Sequence, residues 1–148
     1  MAAQQILVGV ASPPVAAVAE NGSLEVVVVH STTKATLRNL RTAAELAAGL
    51  AARIRLLVLE AVPYPLDVET PRVPVEFTKK RFWMVASHAR VDTLIDIRLG
   101  RDSRRMLEAA LKPGSLVVLE RGAWWTSQYW LARRLEKLGH QVVLSSAN

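Results

Sequence analysis

From Leu24 onward, short apolar runs rich in β-branched residues alternate with longer stretches whose apolar positions recur every three or four residues. The runs predict strands at Leu24–His30, Ile54–Val62, Val91–Leu99, Ser115–Glu120 and Gln141–Ser145. Val26-Val27-Val28-Val29 and Leu116-Val117-Val118-Leu119 are continuously apolar, the pattern of strands buried on both faces of a parallel sheet. Four helices are predicted between them. The first, Thr36–Ala52, places Leu37, Leu40, Ala44, Ala47 and Ala51 on one stripe, and the second, Val75–Ala89, does so with Phe82, Val85, Ala86 and Ala89. The third starts at Asp102 or Ser103, carries Met106, Leu107, Ala110 and Leu111 inward, and stops at Pro113-Gly114. The fourth starts near Thr126 or Ser127, uses Leu131, Leu135 and Leu138, and ends at Gly139. Strand–helix alternation with short connections implies right-handed crossovers. The expected fold is therefore α/β: a doubly wound, mostly parallel five-stranded sheet with helices on both faces.

Two segments depart from that rhythm. Pro63, Pro65, Pro71 and Pro74 predict an extended, semi-rigid loop. Residues 1–23 stand apart as an N-terminal extension to the main domain, 24–148. There Val15–Glu20 faces Ser23–Val29 across Asn21-Gly22, a two-residue hairpin signal. The extension is expected to add a strand or hairpin at the sheet margin or to a partner chain, or else to be a loose tail.

Composition narrows the class. A chain of 148 residues, 51% apolar and 22% charged, suits one globular domain and excludes a disordered or fibrous one. No repeat period points to a solenoid. No apolar run approaches the roughly 20 residues that span a bilayer, and Met1–Gln5 carries no Lys or Arg, so neither membrane insertion nor a secretory leader is predicted. Without cysteine there is no disulfide framework and no thiolate nucleophile or metal ligand, which makes the cytoplasm the default compartment. The +6 net charge could serve an anionic partner. Its densest groups, Lys79-Lys80-Arg81, Arg101 to Arg105 and Arg133-Arg134, read instead as solvated helix faces, with a nucleic-acid or anionic-lipid surface or a small anionic ligand as the weaker alternatives.

The order and spacing resemble a universal stress protein domain, of the adenine nucleotide alpha hydrolase-like fold. The matching features are Val26–Ser31 before the Ala-rich helix Arg41–Ala47, then Arg55–Pro63, then Ile97-Arg98-Leu99-Gly100-Arg101-Asp102-Ser103 leading to Ala109-Ala110, then Ser115–Leu119 and Gly139–Leu144. The resemblance implies a stress-response, ligand-binding regulatory domain that often pairs through its last strand. It also implies a crevice around His30, Ser31, Thr32, Val62, Gly100, Arg121 and Gly122. ATP-binding members carry an Asp at the end of the first strand, where this chain has His30. They also carry Gly-x2-Gly-x9-Gly-[Ser/Thr], where this chain has Glu120-Arg121-Gly122-Ala123-Trp124-Trp125-Thr126-Ser127. Counted from Gly122, the other two glycine positions fall on Trp125 and Leu135. A carboxylate and two indoles do not make a phosphate cradle. No cofactor is expected, and ATP or AMP binding survives only as the alternative of a degenerate nucleotide site.

His30 is the residue to single out, since strand carboxyl ends in open α/β sheets face the ligand crevice. The plainer reading is a strand-end histidine held by its neighbours, with Thr33 or a nearby hydroxyl capping the next helix. His88 reads as a helix-end residue and His140 as a post-cap residue, neither with a partner at metal-ligand spacing. Asp92 and Asp96 share a strand face and read as a solvated edge. Trp124, Trp125, Tyr129 and Trp130 gather four of the eight aromatics within seven residues. They could plug the vacated crevice, form an interface or pack as ordinary core. No Gly-x-Ser-x-Gly elbow or phosphate-binding Gly-x4-Gly-Lys-[Ser/Thr] loop occurs, so no catalytic residue is assigned. The last strand, with Val142, Val143 and Leu144 and no proline or charge, is the expected homodimer edge.

Overall fold

The computed structural model describes residues 4–10, 24–65, 74–89, 92–121 and 127–145. In chain order the elements are β1 (Gln4–Val10), β2 (Glu25–Val29), α1 (Thr33–Leu50), β3 (Arg53–Ala61), α2 (Val75–Ala89), β4 (Thr93–Gly100), α3 (Ser103–Ala110), β5 (Leu116–Glu120), α4 (Ser127–Lys137) and β6 (Gln141–Ser145). They form one six-stranded sheet in the order β1-β4-β3-β2-β5-β6. Strands β2 to β6 are mutually parallel, and β1 runs antiparallel to β4 from Gln4↔Leu99 to Val10↔Thr93. This is the doubly wound α/β sheet that the alternation predicts.

Alternate residues along each central strand build two separate cores. Val26, Val28, Leu56, Val58, Ile95 and Ile97 pack against Leu40 and Ala43 of α1 and Phe82 and Ala86 of α2. Val27, Val29, Leu57, Val117 and Leu119 pack on the opposite face against Leu107 and Ala110 of α3 and Ala132 and Leu135 of α4. Both parities of β2 are therefore apolar because both faces are covered. The helix ends follow local chemistry. Thr32 caps α1, its hydroxyl accepting from the Ala35 N–H at 3.1 Å, and Asp102 caps α3 through Arg104 and Arg105 N–H. Gly139, at φ +93°, takes the left-handed position after α4.

Two expectations are corrected here. The hairpin across Asn21-Gly22 would need a free edge on β2. Val26, Val27 and Val28 instead pair with β3 on one side and β5 on the other. The N-terminal strand is Gln4–Val10, four strands away in the sheet order from β5, and residues 11–23 lie outside the described residues. Asp96 is likewise no solvated edge: β1 covers β4, and Asp96 is 0% exposed.

Asp96 lies at the centre of a buried polar network on the α3 side of the sheet. Arg55 donates to it at 2.8 Å, to Glu25 at 2.9 Å and to the Ala110 carbonyl at 2.8 Å. Arg98 approaches the same carboxylate at 3.2 Å, and Gln5 of β1 donates to it at 3.2 Å. Five residues from four strands, two of them on β4, and the last carbonyl of α3 thus share one charge cluster. Removing one member of such a cluster leaves an uncompensated buried charge, which costs far more than replacing both. Asp96→Leu is expected to lose about 3–5 kcal/mol in urea denaturation. Arg55→Met with Asp96→Leu is expected to recover most of it, and a double mutant no more stable than the single would contradict this account.

Candidate functional site

Strand order reverses between β2 and β5, so their carboxyl ends open the crevice at which ligands bind in such sheets. The chain leaves β2 at His30, whose N–H still donates to the Leu57 carbonyl at 2.9 Å. Its ring packs edge-on against Phe82, centroids 4.6 Å apart, and Nδ1 lies 2.8 Å from the hydroxyl of the fully buried Thr36. Burial, and secondly the positive charge of Arg81, lower the imidazole pKa from 6.5 to about 4. At neutral pH His30 is therefore an uncharged ring offering one donor and one acceptor. Thr32, not Thr33, supplies the helix cap.

Across the crevice, Glu120 at the end of β5 is held by Arg38 of α1 at 2.6 Å. Beside it, buried Asn39 accepts a hydrogen bond from the Ser145 hydroxyl. Ser31 Oγ, Arg38 Nε and Asn39 Nδ2 are buried with no hydrogen-bond partner among the described residues, so the α1 side of the crevice holds three polar atoms with unused capacity.

On the α3–α4 side a cleft of about 900 Å³ opens. Val29, Leu59, Leu107 and Leu131 form its apolar lining, with His30 at the strand end and Ser103 at the start of α3. Arg104, Arg133, Arg134 and Lys137 supply four cations, and Trp130 stands 58% exposed beside them. Two of the cations are positioned within the fold, Arg134 by Glu108 at 2.9 Å and Arg133 by the Tyr129 hydroxyl at 3.0 Å. The cluster is an open, positively charged cleft with an aromatic wall.

The sequence-derived candidates divide accordingly. His30, Ser31 and Thr32 come together at the end of β2. Val62 and Gly100 join one another at the ends of β3 and β4, the Val62 N–H donating to the Gly100 carbonyl at 2.7 Å. Val62 is buried among Leu99 and Val75. A Cβ on Gly100 would stand 2.7 Å from the Met106 sulfur, so both residues pack the strand ends together. Arg101 closes that corner, donating to the Val62 carbonyl at 2.8 Å and lying over the Tyr64 ring at 4.1 Å, in a turn and not on a helix face. Arg121 is exposed, its N–H donating to the Ser145 carbonyl at 3.0 Å. Gly122, Trp124 and Trp125 lie outside the described residues. Val142 and Val143 are half-buried and Leu144 exposed on β6. His88 bonds the Met84 carbonyl in the last turn of α2, and His140 follows Gly139. Sequence reasoning missed the Arg104–Arg133–Arg134–Lys137 convergence because these residues come from two helices. Their i, i+3 and i+4 spacing along α4 was the available signal.

Among the described residues no group of His, Asp and Glu could hold a metal ion, and no helix is long and apolar enough to cross a membrane. The histidine makes a pH prediction. Its folded pKa lies below the unfolded value, so the unfolded chain binds more protons between pH 4 and 6.5. The stability it contributes is complete above pH 6.5 and is lost as pH falls through about 4. In His30→Gln the denaturation midpoint is expected to vary less with pH across that window. An unaltered slope would show that His30 is not the titrating group.

No family model matches the chain, and no curated protein matches it. Among solved structures it is similar to a universal stress protein crystallised in complex with cAMP, at 17% identity and a TM-score of 0.48, over 84% of this chain and 98% of that one.

Proposed function

We propose that this chain is a non-catalytic, universal-stress-protein-like regulatory domain that binds a small anionic ligand and works as a homodimer. The observation carrying the ligand reading is the cleft beside β2, where four basic side chains and an exposed indole surround an apolar floor. Long-range attraction by clustered cations in a cleft raises the local concentration of anions. Ordinary family-style ATP binding fits poorly. The Arg38–Glu120 pair presents no net charge at the end of β5, and the sequence that follows lacks the glycines of a phosphate cradle. His30 is uncharged across the physiological range, which suits a hydrogen-bonding role and not proton transfer.

Calorimetric titration with AMP, a non-hydrolysable ATP analogue, phosphate and citrate tests the ligand reading. At least one small anion is expected to bind saturably, and Arg104→Ala with Arg133→Ala to weaken it about tenfold or more. A preference for the ATP analogue over AMP of about tenfold or more would mean that the terminal phosphates are cradled, and would overturn the proposal in favour of a degenerate nucleotide site. The exposed Trp130 beside Arg133 and Lys137 favours nucleic acid as the second reading. Retardation of single-stranded DNA or RNA that persists at about 150 mM salt would support it.

The dimer reading rests on β6, whose outer edge no described strand covers. The Gln141 N–H donates inward to Ser115, and the Ser145 carbonyl accepts from Arg121. By the two-residue alternation, Val142 and Leu144 direct their backbone groups outward. Light scattering is expected to give about twice the 16.3 kDa of one chain. Leu144→Pro, which removes an outward donor, should shift the protein towards monomer. A monomer mass for the unmodified chain at roughly tens of micromolar would reject the dimer.

A further inference from the structure

The opposite face of the sheet carries a second concavity that the ligand reading does not use. Thr33 and Leu37 of α1 and the outward stripe of α2 enclose a groove of about 440 Å³. Phe77 and Met84 are seven residues apart, two helical turns along one side of α2, and are left 62% and 53% exposed. Val85 and Leu37 lie between the two helices at its floor. A solitary exposed apolar residue needs no explanation, whereas adjoining ones lining a concavity mark a contact surface.

The electrostatics of the groove are one-sided. Lys80 and Arg81 line it, and no carboxylate does so among the described residues. The neighbouring Lys79 is paired with Glu76 at 3.1 Å, while Lys80 and Arg81 have no ion pair there. The Arg81 guanidinium stands over the Phe82 ring at 5.3 Å from its centroid, at the end of the groove next to His30. The methylene stem of a lysine such as Lys80 can extend an apolar wall. Met84 lets such a wall adapt to an occupant's shape. Size decides the kind of occupant. Eight described residues line the groove, whereas a stable protein partner engages about 20–30 residues a side. Its volume falls in the range of about 300–1,000 Å³ that small molecules fill. We infer that this groove binds an amphiphilic organic anion, its alkyl or aryl body along Leu37, Phe77 and Met84 and its carboxylate, phosphate or sulfonate between Lys80 and Arg81.

Fluorescent anilinonaphthalene sulfonate and its uncharged parent, phenylnaphthylamine, share one ring system and differ in the charge. The sulfonate is expected to bind the intact protein about tenfold or more tightly than the neutral dye. Lys80→Ala with Arg81→Ala should remove that difference and leave the neutral dye bound. Met84→Glu should weaken the sulfonate by about tenfold or more. Arg133→Ala with Arg134→Ala, in the other cleft, should leave it unchanged. Displacement by monomeric dodecanoate would support a free amphiphile, and displacement only by phosphatidylglycerol vesicles would support the same chemistry presented by a lipid. Equal affinity of the two dyes for the unmodified protein, loss of the sulfonate in the Arg133/Arg134 variant alone, or displacement by neither amphiphile would overturn the inference.

Discussion

The structure depends on enclosing β2 completely. Its N–H and C=O groups are taken by β3 and β5, and its side chains are buried on alternate faces by two helix layers. No other arrangement satisfies a run of four valines as well, because any free edge or open face would leave either backbone groups or apolar surface in water. From that constraint the rest follows. The chain must leave β2 over one face to reach β3 and return over the other to reach β5, and the reversal places His30, Ser31, Arg38 and Glu120 around a single opening. The same enclosure makes His30 a poor base, since its ring is drawn beneath α1 and α2 against Thr36 and Phe82.

The two margins of the sheet are managed differently. At one, β1 supplies an antiparallel strand to β4, and Gln5 reaches into the charge cluster around Asp96. Covering that margin is what allows Asp96 to be buried, and the buried cluster in turn fixes register among β1, β2, β3 and β4, because a one-residue slip would turn each of its members to the other face. At the other margin β6 keeps its outward backbone groups without charge or proline to protect them. One edge is closed within the chain, and the other is suited to closure by a second copy.

How much of this was legible in the sequence depends on the range of the interactions. The boundaries Val75–Ala89 and Gln141–Ser145, the Asp102 cap and the Gly139 stop could be read directly, since each rests on contacts within one turn or one strand. The inward residues of α3 were equally legible from their spacing. The partner of β1 was not, because hydrophobic alternation says that a strand exists and not which edge it joins. The hairpin signal at Asn21-Gly22 was misleading for the same reason: local turn chemistry cannot register that β2 is already paired on both sides. A usable sign of the Asp96 cluster was present, however. Arg55 and Asp96 each interrupt an apolar run, between Ile54 and Leu56 and between Ile95 and Ile97, and opposite charges at such positions on neighbouring strands are candidates for one buried pair.

The net charge of the chain takes on meaning only once it is distributed over this fold. Arg55 and Arg98 are consumed inside the sheet face, Arg38 neutralises Glu120, and Arg101 ties the ends of β3 and β4. Among the others, two sets stand beside concavities, one on α3 and α4 around a large cleft and one on α2 beside a smaller apolar groove. A solvated face would have needed neither concavity nor the apolar residues that accompany the cations. The sheet stands between the two sets, and salt screens the attraction of each exposed set for anions over about 10 Å. On the two proposals made above, the domain would present two chemically different receptacles, one for a compact polar anion and one for an anion with a long apolar body, on a scaffold whose central strand is shared by both.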